Sequence, residues 1–382
     1  DKSKFLPVTP EILKGCHYKG GFDTVSIYLQ NNPDSHFFAS KGLILGGSHS
    51  PSPLNRNAHC GDLSAVLLQN LNPLVNLIRV PDKKIILMDE WESKIKAIVE
   101  STWKTDVNSL SGVPSWMLVL IKAVLQKTGS EYLTDVWPNM EVFFHGGISF
   151  EPYRDQYKAL IPSDRMHYME TYNASEGFFG LQDNPEEHSL LLMIDYSVFY
   201  EFIPINEVGE EHPTVLPLEA VEVGKNYAMV ITTSGGLWRY QIGDTVRFTS
   251  LYPHKFVISG RTKNFINAFG EELMVDNADK AISRVCRQTG AKVKEYTAAP
   301  LFMLDKAKGR HQWMIEFEKM PPSLDDFASL LDKTLQQLNS DYEAKRYKEI
   351  SLQPLEIRVA REGTFYEWLR RKGKLGGQHK IP

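Results

Sequence analysis

The stretch TYNASEGFFG, residues 171–180, decides how this chain is read. It overlaps the end of HYMETY, residues 167–172, whose aromatic and alternating character predicts a strand, and it breaks that strand with a polar turn that holds Glu176. Downstream, YQIGD at 240–244 places a glycine before a carboxylate, so Gly243 permits an unusual backbone angle just ahead of Asp244. SGRTKNFINAFGEEL at 259–273 then brings Gly260, Arg261 and Gly270. Upstream, EVFFH at 141–145 predicts a strand that ends in Gly146 and Gly147, two residues without side chains to keep a flat ligand off the backbone.

Around these segments the texture changes twice. Residues 9–126 are dominated by helical periodicity, with Thr9 and Pro10 opening a first helix, DEWESKIKAIVESTW a second and SWMLVLIKAVLQKTG a third that Gly129 caps. A strand-rich middle follows. SLLLMIDYSVFYEFIPI predicts two strands around Asp195, and NYAMVITTSGGLWRYQIGDTVRFTS predicts a meander with a turn at Gly235-Gly236 and a bend at Gly243-Asp244 into a further strand. From Gly260 a smaller mixed unit is expected: a helix over 277–288, strands at KVKEYTAAPLFML and HQWMIEFE, and one long helix from Ser323 to Tyr347. The expected division is therefore 1–259 and 260–382.

With 382 residues, 42% apolar and 11% aromatic, the chain is long enough for a large core and too apolar for disorder. Its 43 basic and 47 acidic residues sum to a formal charge of −4 with no basic stripe, which argues against nucleic acid as the main partner. Cys16, Cys60 and Cys286 are odd in number and far apart, so neither a disulfide framework nor a zinc site is expected, and a reducing cytoplasm fits. The most apolar stretch, Trp116 to Leu125, is short and holds Lys122, so no membrane span is expected.

Taken in order, TYNASEGFFG, RYQIGDTVRF and the closing GGQHKIP resemble the adenylate-forming superfamily, and within it the Gretchen Hagen 3 branch, the acyl-acid amido synthetases. The resemblance covers nearly the whole chain and implies a mixed α/β fold of the firefly luciferase-like type, with a large N-terminal domain and a small mobile C-terminal one. It implies ATP and Mg²⁺ as cofactors, with a small carboxylic acid and an amino acid as substrates. The acid would first be converted to acyl-AMP, and the amine would then displace AMP. Within that scheme Glu176 is the candidate magnesium ligand, since magnesium takes one or two carboxylates beside substrate phosphates. Asp244 would accept from the ribose hydroxyls, Tyr172 would stack on adenine, Ser175 would donate to the α-phosphate, and Asn173 and Lys4 complete the nucleotide set with Gly146, Gly147 and Arg261. Either Lys374 or Lys380 would neutralise phosphate charge during adenylation. Val113, Trp116, Met117, Phe150 and Phe179 are the expected acyl pocket.

Each residue also has a plainer reading. Glu176 reads as a solvated turn residue, Asp244 as a hairpin Gly-Asp, Arg261 as a surface ion pair, His145 as a packed strand-end histidine, and Met117 as helix core. The superfamily's Ser/Thr/Gly-rich phosphate loop is expected before KSKFLPVT and does not stand in the sequence. Loss of its backbone N–H groups predicts weak nucleotide binding by this chain. Two other functions share parts of the pattern: a thioester ligase such as an acyl-CoA ligase, and a non-catalytic small-molecule binder. Gly177-Phe178-Phe179 after the glutamate resembles bacterial-type members.

Overall fold

The computed structural model describes residues 5–47, 49–51, 59–262, 266, 271, 273–302, 309–346 and 352–372. In chain order its strands are β1 (Lys41–Ile44), β2 (His49–Pro51), β3 (His59–Gly61), β4 (Arg79–Val80), β5 (Val107–Gly112), β6 (Val142–Gly146), β7 (His167–Ala174), β8 (Gly177–Leu181) and β9 (Leu190–Leu192). They continue with β10 (Val198–Pro204), β11 (Leu216–Pro217), β12 (Asn226–Thr233), β13 (Tyr240–Leu251), β14 (His254–Arg261), β15 (Lys292–Phe302), β16 (Gly309–Lys319) and β17 (Glu356–Val359).

Twelve of these form one sheet, in the order β11-β10-β12-β13-β14-β9-β8-β7-β6-β5-β1-β4. From β4 to β7 every pairing is parallel. From β7 to β11 every pairing is antiparallel. The change of sense falls at the β7–β8 hairpin, whose turn holds Ser175 and Glu176. Parallel strands need covering on their faces, and helices Trp91–Thr102 and Pro114–Thr128 supply it, burying Ile98, Met117 and Ile121 against Leu43, Leu110 and Phe143. Glu90 starts the first helix by accepting from the amides of Glu92 and Ser93, and Gly129 ends the second in the left-handed conformation, φ 73°. The antiparallel half closes over its own aromatic core of Phe202, Tyr227, Phe248 and Phe256.

A second core lies beyond β14. The small sheet β15-β16-β17 packs Trp313 and Ile315 against helices Val275–Thr289 and Leu324–Leu338. No helix among the described residues is long and apolar enough to cross a membrane.

Three expectations need correction. The region 9–126 is mostly helical, as its periodicity predicts, but β1, β4 and β5 of the large sheet also lie within it. The long helix expected from Ser323 ends at Leu338, because Asn339 leaves helical geometry at φ −143° and caps a new helix, Ser340–Arg346, by accepting from the Tyr342 amide at 2.7 Å. Gly243-Asp244 is not a bend between strands but a bulge inside β13: Ala228 and Val230 of β12 pair with Thr245 and Gln241, leaving the segment between them without a partner on β12, with Gly243 at φ 86°.

Candidate functional site

Between the two cores opens a cavity of about 1770 Å³. Its walls come from the carboxyl end of the parallel half, from the β7–β8 hairpin, from β13 and β14, and from β15 and the helix over Val275–Thr289. Ligands of open sheets with parallel strands collect in the crevice outside the carboxyl ends of those strands. Tyr172, Asn173, Ser175, Glu176, Asp244 and Arg261, far apart in sequence, all line it.

The bulge at Gly243 turns Asp244 inward, where it is 7% exposed. The register of β13 against β14 sets Asp244 directly opposite Arg261. The Tyr172 hydroxyl donates to Asp244 Oδ2 at 2.5 Å. Arg261 Nε stands 2.9 Å from Oδ1, yet its N–H is off the bonding axis, so the contact is ionic and Oδ1 receives no donated hydrogen among the described residues. Burial pushes the Tyr172 phenol well above its ordinary ionisation, and the Asp244 charge adds to this, so the phenol remains a donor. Asn173 Oδ1 meets His17 Nδ1 at 2.9 Å, and burial holds that imidazole below its usual range.

Gly146 ends β6 so close to β7 that an added Cβ would stand 2.3 Å from the carbonyl oxygen of Thr171. Gly147 follows at φ 85° on the cavity wall. Behind them His145 stacks on Phe150 with centroids 4.2 Å apart, and burial, then Arg154, drives its pKa down to about 3. It is therefore a neutral imidazole at neutral pH, packed on Phe150. Gly146→Ala should cost about 1–3 kcal/mol by forcing β6 and β7 apart. Gly21→Ala is the control, because Gly21 lies in helix Tyr18–Asn31 with nothing within 4 Å of the new methyl. Urea unfolding of both variants checks this, and equal midpoints would refute it.

Comparison with known proteins assigns the chain. The GH3 family N-terminal domain matches residues 1–166, the GH3 central domain 191–261 and the GH3 C-terminal domain 276–382. The chain belongs to the GH3 family. It is 30% identical over 317 residues to indole-3-acetic acid-amido synthetase GH3.4 of Arabidopsis thaliana, covering 75% of this chain and 51% of that protein. The chain spans about half the length of the curated relatives it matches. In structure it superposes on the GH3.15 acyl acid amido synthetase with a TM-score of 0.76 and 18% identity, over all of this chain and 78% of that one. A 2-hydroxyisobutyryl-CoA ligase in its postadenylation state also shares the fold, with a TM-score of 0.52, 12% identity, and coverage of 88% of this chain and 68% of that one.

On this GH3 scaffold the expected acyl residues divide. Trp116 and Phe150 line the cavity. Val113 precedes helix Pro114–Thr128, and its Cγ2 lies 3.4 Å from the position a Cβ on Gly147 would take. Met117 and Phe179 are fully buried, Met117 under the helix and Phe179 edge-on to Tyr172 at 5.0 Å, so both support the wall without forming it. Lys4, Gly270, Lys374 and Lys380 lie outside the described residues.

One group on the cavity wall was not singled out from the sequence. Tyr153 donates to Glu295 Oε1 at 3.0 Å, and Glu151 accepts from Arg154 at 3.1 Å and from Ser283 and Arg287 at 3.3 Å each. Burial raises Glu295 to about 7, against the bond from Tyr153, with Asp279 and Glu316 reinforcing it. The only local signal is the Glu151/Arg154 spacing at a helix start, which is common on surfaces.

Proposed function

We propose that this GH3 chain belongs to an acyl-acid amido synthetase that adenylates a small carboxylic acid and passes the acyl group to an amino acid. The observation that carries the reading is Asp244: a buried carboxylate on a ligand-sized cavity, with one oxygen lacking a donated hydrogen bond. Among the described residues that oxygen is held only by the Arg261 ion pair, so it keeps acceptor capacity toward the cavity, and a ribose diol has the matching hydroxyls. The names of the relatives, an indole-3-acetic acid-amido synthetase and an acyl acid amido synthetase, supply the reaction class.

In the first half-reaction a carboxylate oxygen attacks the α-phosphorus of ATP and pyrophosphate leaves. In the second, the amine nitrogen attacks the acyl carbon, AMP departs and the amine gives up a proton. Arg261, half-exposed beside Asp244, balances the charge of that carboxylate and stands ready for ribose or phosphate oxygens. Gly147 gives the base room at the backbone, while Trp116 and Phe150 offer the acid an apolar wall. Glu176, half-buried at the hairpin turn, is the residue we assign to magnesium, which when bound would neutralise phosphate charge. Lys374 or Lys380 would bring a further cation, and we propose residue 260 as the start of a mobile unit. Free thiols at Cys16, Cys60 and Cys286 support a cytoplasmic setting.

The test is acid-dependent ATP–pyrophosphate exchange over aromatic and short-chain acids, followed by amino acid-dependent release of AMP. Exchange with at least one acid is expected, and Glu176→Gln should raise the Mg²⁺ needed for half-maximal exchange about tenfold. AMP release that depends on coenzyme A and ignores amino acids would replace the amide reading with a thioester ligase. ATP binding without exchange for any acid would leave a non-catalytic binder.

A further inference from the structure

Tyr172 does not lie flat and open as a stacking platform would. Its ring is 6% exposed and is wedged edge-on against Phe179 at 5.0 Å and Phe256 at 6.1 Å. Its one polar atom is committed to Asp244 Oδ2. That matters because the last torsion of an aspartate is broad and roughly two-fold, so an unrestrained carboxylate has no fixed face. Arg261 does not impose one, since its side chain is 42% exposed and its N–H is off axis. Tyr172 does, because its ring is locked in the core and its donor points one way.

We propose that Tyr172 is a positioning residue: its O–H pins Asp244 Oδ2 and so presents Oδ1 to the vicinal diol of a bound nucleoside. The inference rests on the nucleotide reading above and deepens it. The first of the three motifs would then act through the second, with recognition of the diol depending on a hydroxyl that never touches it.

Tyr172→Phe separates this role from stacking, because phenylalanine keeps the ring and its packing and loses only the donor. The affinities of the wild-type chain and of Y172F for AMP and for 2′,3′-dideoxy-AMP would be measured by calorimetry. Wild type should prefer AMP. Y172F should bind AMP about tenfold more weakly while its affinity for the dideoxy analogue stays within about twofold, so the preference for the diol collapses. Equal weakening toward both nucleotides would mean a merely structural role, and unchanged affinity for both would mean a stacking role; either overturns the inference. If wild-type protein binds both nucleotides equally, the assignment of Asp244 to ribose itself falls.

Discussion

Asp244→Asn should leave the protein folded and lower acid-dependent ATP–pyrophosphate exchange by about a hundredfold or more, most of it as weaker nucleotide binding. Asparagine keeps the shape of the side chain and retains an oxygen for the Tyr172 hydroxyl. It loses the charge that faces Arg261 at 2.9 Å and puts an N–H₂ on one side of a site that should accept hydrogens. Asp244→Ala goes further, because it strands the Tyr172 hydroxyl in a site where tyrosine is 6% exposed. That variant should lose about 1–3 kcal/mol of stability in addition to activity. The cost from Arg261 is smaller, since a half-exposed guanidinium recovers water. Parallel urea titrations and exchange assays read both effects. Full exchange activity in Asp244→Asn would remove the carboxylate from the nucleotide site, whatever the family.

The partnership behind that prediction shows where sequence reading stops. YQIGD and SGR are visible as separate segments, and Gly243 marks a special backbone angle. That Asp244 pairs with Arg261 depends on register, and the register shifts twice between β13 and β14, at Thr245/Val246 and at Phe248/Ser250. The two shifts cancel, so a count back from Leu251 opposite His254 does reach Asp244 opposite Arg261, but it needs the turn placed at Tyr252-Pro253 first, and the bulges between are not marked in the sequence. Strand β5 was missed for a different reason. VNSLSG carries Asn108, Ser109 and Ser111 where a buried parallel strand usually carries a continuous apolar run. Asn108 is nevertheless 1% exposed, because its amide donates to the carbonyls of His36 and Phe37. For the expected acyl wall, faces decide which residues reach the cavity. A helix turns about 100° per residue, so Trp116 reaches the cavity while its neighbour Met117 enters the core. In β8 all five residues are buried, so alternation gives no face to Phe179. By contrast, EVFFH, HYMETY and the β12-β13-β14 meander were legible, because apolar alternation and glycine turns act locally.

Lys94 gives the other large effect. In WESKIKAIVEST it falls in the buried stripe Trp91, Lys94, Ile95, Ile98, and the fold hides it completely. Its ammonium donates to the carbonyls of Gly46 at 2.7 Å and Gly47 at 3.1 Å, at the end of β1. Burial lowers its pKa from 10.5 to about 8, with Asp62 opposing. The unfolded chain therefore holds this proton up to 10.5, and the folded chain only up to about 8. Between those values the unfolded state binds more protons, so stability rises with pH across the window and is lost again as pH falls through the folded value. The gain is at most about 3 kcal/mol. Lys94→Met abolishes this dependence and leaves the other titrating groups in place. The unfolding free energy of wild type minus that of Lys94→Met, measured in urea, should be flat below pH 7 and climb from pH 8 toward 10.5. A difference that stays flat through the window would mean that the two glycine carbonyls hold the ammonium as well as water does, so that its burial carries no electrostatic cost.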